Sequence, residues 1–185
     1  MVADSGRMEK NHFCKTTCGN DGNRDRRPGT YEIQMNEMVP LIEEILLSGG
    51  TAEITVTGNS MYPMLKHRKS QVRLAMPHEL RVGDLPLYRR DNGAYILHRI
   101  VNITNDRHSN EITYTCCGDH QWHLEKGIRR DQIIAVVTDF QRTERRISCS
   151  HPFYCLYYRF WIAIRPLRRL IFGGLRRVKR MVCHK

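Results

Sequence analysis

Long apolar runs are missing from this chain of 185 residues. No segment reaches the roughly 18 consecutive apolar residues that a spanning helix needs. Residues 1–29 also lack the apolar middle of a secretory signal. Together these absences predict a cytoplasmic or membrane-associated protein, neither spanning nor secreted by itself. Acids are absent at one end: from His151 onward there are nine Lys/Arg and no Asp or Glu, so a net charge of +11 leaves +11 − 9 = +2 for the rest. Lysine is absent between Lys69 and Lys126. No second Cys/His pair at finger spacing follows His12, Cys14 and Cys18, so these read as stray thiols rather than a zinc finger. No internal repeat is visible.

Cysteine, by contrast, is present seven times, an odd number, and Cys116-Cys117 are adjacent. Neighbours on a strand point to opposite faces, so these two are poorly placed to bond each other. The pattern predicts a reducing compartment. The length and an apolar fraction of 41% allow one domain with a real core.

Three regions follow from the residue pattern. Residues 1–30 are polar, rich in Gly and Asn, and read as a disordered arm. Residues 36–145 form the body. It opens with a helix in which Met38, Leu41, Ile42, Ile45 and Leu46 keep helical spacing, with Pro40 near the first turn and Gly49-Gly50 as the stop. β-type runs follow at 51–57, 71–76, 85–89, 94–104, 111–117 and 132–140, and Asp91-Asn92-Gly93 marks a hairpin. The fold class is mainly β: a small, coiled, antiparallel assembly flanked by an N-terminal helix and a C-terminal basic amphipathic helix. Residues 151–185 are that tail, in which Phe153, Tyr154, Leu156, Tyr157, Phe160 and Trp161 recur at helical intervals among arginines, and Pro166 should kink or divide it. Two readings stand level: a helix at an anionic membrane surface, or one docked on the body with solvated arginines. Nucleic acid is the less favoured partner, because bulky apolar residues dominate the other face.

The chemistry centres on Gly58-Asn59-Ser60-Met61-Tyr62-Pro63, a tight turn just past a strand. Such a turn lifts a serine hydroxyl clear of the sheet and leaves backbone N–H groups for a ligand. A serine needs a base and oxyanion donors. With no lysine on the middle strands, the base is His98, on the run Ala94 to Val101. Imidazole, titrating near about 6.5, accepts a proton at neutral pH. An acid in a turn, Gly118-Asp119, follows a further strand.

The order Gly58–Pro63, Arg81-Val82-Gly83-Asp84-Leu85, Leu97-His98-Arg99-Ile100-Val101, Gly118-Asp119 and Ile133–Val137 resembles the type I signal peptidases and the LexA-like peptidases, over about residues 40 to 140. The His-Arg pair is similar to the endoplasmic-reticulum and archaeal branch, where histidine replaces lysine. The resemblance implies Ser60 as nucleophile, His98 as base, Asp119 as the acid that orients it, the Ser60 N–H as an oxyanion donor, and Met61 and Pro63 shaping the cleft. It implies no metal or organic cofactor. The serine often found two residues before the nucleophile is here Gly58, which leaves the second oxyanion donor open. Glu125 is a possible substitute for the further acids of that branch.

The function expected is a serine endopeptidase cutting an extended precursor or leader peptide, with an anionic membrane surface as a second partner through residues 151–185. Alternatives are a self-cleaving LexA-like peptidase, though residues 1–50 offer one helix and no helix-turn-helix, or a non-catalytic peptide- or membrane-binding module.

Overall fold

The computed structural model describes residues 13–16, 31–106, 111–142 and 145–165, the first segment and 31–34 as backbone only. The rest of the polar arm, and the tail from residue 166 with the break expected at Pro166, lie outside the described residues.

Within the arm, β1 (Phe13–Thr16) pairs antiparallel with β2 (Tyr31–Gln34). The expectation of an unstructured 1–30 segment therefore needs correcting at β1, whose pairing partner supplies an order that composition does not announce. Helix α1 (Met35–Leu47) follows and buries Met38, Val39, Ile42 and Leu46. Its end is a Schellman motif: the Gly49 N–H donates to Leu46 O, the Gly50 N–H to Ile45 O, and Gly49 takes the left-handed φ of 81° that favours glycine. Leu41 and Ile45, expected on the buried stripe, are exposed. The helix rests on one surface only, and that surface covers a narrower stripe than the sequence provides.

The body is built from β3 (Ala52–Thr55), β4 (Ser70–Ala75), β5 (Pro86–Arg89), β6 (Tyr95–Leu97), β7 (Arg99–Asn105), β8 (Ile112–Cys117), β9 (Glu125–Arg129), β10 (Ile133–Arg142) and β11 (Arg145–Ser148). One sheet runs β3-β4-β10-β5-β6, with β11 also on β10, and a second runs β7-β8-β9. All pairs are antiparallel. The fold is thus mainly β, a curled antiparallel assembly with a helix at each end, as the residue pattern predicts. The hairpin at Asp91-Asn92-Gly93 joins β5 to β6 in the register Leu87↔Leu97.

Two strands are buried on both faces. Leu87 and Val137 belong to a core with α1, Ile54, Leu74, Leu85 and Phe140. Their neighbours Tyr88 and Val136 face a second core with Ile96, Ile100, Tyr114, Ile128 and Ile133. This double burial explains why Ile133–Val137 is continuously apolar rather than alternating. The expected strand 94–104 is divided at His98, because Tyr95–Leu97 pairs with β5 and Arg99–Asn105 with β8. His98 is the point where the chain passes from one sheet to the other. Strands β9 and β11 escaped the sequence reading, since Glu125–Arg129 and Arg145–Ser148 each hold a single isoleucine among charged or small residues and carry no apolar alternation.

Helix α2 (Pro152–Ala163) begins with Pro at its first position and with His151 as cap, whose Nδ1 accepts the Phe153 N–H at 3.3 Å. It docks on the body through buried Tyr154, whose ring meets Phe140 at 5.7 Å. Among the described residues no helix is long and apolar enough to cross a membrane.

Candidate active site

The Ser60 turn follows directly from β3. Gly58 takes a φ of 91°, and its N–H donates to His67 Nδ1 at 2.8 Å. That bond braces the entry to the turn and removes the Gly58 N–H as an oxyanion donor. Beyond it, the Tyr62 N–H donates to Asn59 O and the Leu65 N–H to Met61 O. Among the described residues no acceptor takes the N–H of Ser60 or of Met61. Met61 is buried, anchoring the turn in the core, while Tyr62 is exposed and Pro63 half-buried.

Ser60 meets the second sheet at Gly118. A Cβ on Gly118 would lie 2.7 Å from Ser60 O and 3.1 Å from Ser60 Cβ, so only glycine leaves room for the serine. The His120 N–H donates to Ser60 O at 2.7 Å and fixes the approach. The His120 ring also meets Tyr62 edge-on at 5.8 Å, so this histidine lies beside the Ser60 turn. Arg99 pairs with Cys117 across β7 and β8, so His98 comes just before the first pair and Gly118 just after it. Among the described residues no hydrogen bond joins the Ser60 hydroxyl to the His98 ring.

His98 is 3% exposed, and its Nδ1 lies 3.0 Å from Glu125 Oε1 and 3.4 Å from the Tyr88 hydroxyl. Glu125 accepts two further bonds from Arg90, from Nε at 2.7 Å and from Nη2 at 2.6 Å. Burial pushes the Glu125 carboxyl up, but the bonds from His98 and Arg90 outweigh it and hold the group well below the ordinary carboxylate range. Glu125 is thus an anion that can only accept. The ring nitrogen facing it, Nδ1, is therefore the donor of that contact.

Asp119 is held elsewhere. Its carboxylate takes a bidentate bond from Arg99, Nε at 2.9 Å and Nη2 at 2.7 Å, with both residues buried. Arg99 also donates to Gly83 O at 3.1 Å and to the Tyr154 hydroxyl at 2.7 Å, and lies over the Tyr154, Tyr157 and Tyr158 rings. Burial works against the guanidinium charge, but Asp119 more than restores it, so Arg99 stays a cation. The contact to His98 Nδ1 is made by Glu125, whereas both Asp119 oxygens accept from Arg99, the residue after His98. Sequence reading gave Glu125 only as a substitute, and missed Arg90, Tyr88 and Gly118. Arg90 follows a strand and carries no pattern of its own; Gly118 alone was visible, as a turn glycine.

Burial pushes the Cys149 thiol up to about 12 and raises that of Cys116 further. No group of three or more His, Cys, Asp or Glu is placed to hold a metal among the described residues. No family model matches the chain, and no curated protein or solved structure does either.

Proposed function

We propose that this protein is a serine endopeptidase, similar to signal peptidases, acting on an extended precursor or leader peptide. What supports the reading is a Ser60 seated against Gly118 together with a buried His98 whose Nδ1 is held by Glu125. Ser60 Oγ attacks the scissile carbonyl. His98 Nε2 takes the hydroxyl proton and returns it to the leaving amine. Glu125 steadies the imidazolium, and Arg90 keeps Glu125 anionic. The N–H groups of Ser60 and Met61 are the donors available to the oxyanion. The Ser60–His98 bond closes when substrate fills the cleft, as catalytic hydrogen bonds commonly do. Asp119 acts through Arg99, as a brace beneath the Gly118 turn.

The test is covalent. A fluorophosphonate probe should label the purified wild-type chain at Ser60, located by mass spectrometry of the digest. Ser60→Ala and His98→Ala should each lose labelling while keeping the wild-type thermal melt. A folded wild type that takes no label, or a Ser60→Ala variant that still does, would remove the hydrolase and leave a peptide-binding module.

A further inference from the structure

Helix α2 has two unlike faces. Tyr154, Tyr157, Tyr158 and Trp161 turn inward: the three tyrosine rings lie against Arg99, and the Trp161 Nε1–H donates to Asp119 O at 3.1 Å. Phe153, Leu156 and Phe160 are spaced by three and four residues, which aligns them on one stripe. They are 77%, 66% and 59% exposed. A surface helix on a water-soluble body normally turns charge outward at such positions. Here the outward residues are two phenylalanines and a leucine. Beside them lies exposed Arg159, and the sequence from His151 onward carries nine Lys/Arg without one acid.

Charge decides what covers this stripe. Helix α1 also exposes Leu41, Ile45 and Leu47, but it carries acids and no basic residue. Of the two helices described, only α2 joins large apolar side chains to positive charge of one sign. That combination fits an anionic bilayer surface, where cations meet headgroups and rings enter the acyl boundary. Nucleic acid would satisfy the arginines and leave the stripe in water.

We propose that the outer face of α2 docks this protein on an anionic membrane. At the end of the helix, Arg165 Nη2 donates to Trp122 O at 3.3 Å, which ties that end to the segment after Asp119.

Vesicle co-sedimentation of the full chain tests this directly. Wild type should bind phosphatidylcholine vesicles containing phosphatidylserine about tenfold or more tightly than phosphatidylcholine alone. Phe153→Ser/Leu156→Ser/Phe160→Ser should lose about tenfold or more of that binding while keeping its thermal melt. If the triple variant melts early, Phe153→Ser alone, at the most exposed position, should still weaken binding. Ser60→Ala should bind as wild type does, so a failure of the peptidase reading leaves this result untouched. Equal binding to both vesicle types, no binding to either, unchanged binding by a folded stripe variant, or retention only by an RNA oligomer would each overturn the proposal.

Discussion

Two carboxylates near one histidine do different work because their nearest cations differ. Asp119 faces a fully buried guanidinium, and truncating it would strand that charge in the core. Asp119→Ala should therefore cost about 3–5 kcal/mol of stability, read by urea denaturation; a loss below about 1 kcal/mol would contradict the brace. Glu125 is partly open and holds the imidazole, so its loss should fall on rate. Glu125→Gln should lower kcat of peptide cleavage by about 10²–10⁴ while the fold persists. Its ionisation also ties stability to pH. The folded-state pKa of Glu125 lies below the unfolded value of about 4.3. The stabilisation is therefore complete above that pH and is lost as pH falls toward the folded-state value. Thermal melts of Glu125→Gln should decline less steeply below about pH 4 than those of wild type; identical acid slopes would refute the pairing.

Among the elements, α2 does more than cap the body. Its tyrosines enclose Arg99, and Tyr158 packs against Gly83. A Cβ there would lie 2.5 Å from the Tyr158 ring, at a φ of 105° that a side chain rarely adopts. Gly83→Ala should push α2 outward, lower the melting temperature by several degrees, and expose Tyr158 to faster chemical modification. A variant with unchanged melting and tyrosine reactivity would show that α2 contributes little to the body. Helical periodicity announced this segment, yet it could not say which side docks. The same limit applies to α1, where Leu41 and Ile45 carry the apolar spacing but have no surface to meet. Strand β9 shows the converse: only Ile128 is buried, so its order comes from pairing with β8 and leaves no alternation to read.

Across the whole molecule, β10 is the shared wall between two cores and pairs on both edges, with β4 on one side and β5 and β11 on the other. Its central amides should be the last to exchange with deuterium, with β9 at an edge well ahead. Exchange of Val136 and Val137 as fast as that of β9 would contradict a single cooperative body. The mainly β class, the α1 boundary, the Asp91–Gly93 hairpin and the Ser60 turn were all legible in the chain. Each depends on local forces: backbone propensity, the period of burial, and the turn chemistry of glycine and proline. Local forces could also mark His98 as unusual on an apolar strand. They could not choose between Asp119 and Glu125, because that choice depends on which carboxylate Arg99 takes and which one Arg90 reaches. Nor could they show that Gly118 yields its side-chain space to Ser60. Contacts between residues tens of positions apart arise only when the two sheets close on each other, and there the geometry of packing, not the pattern along the chain, makes the selection.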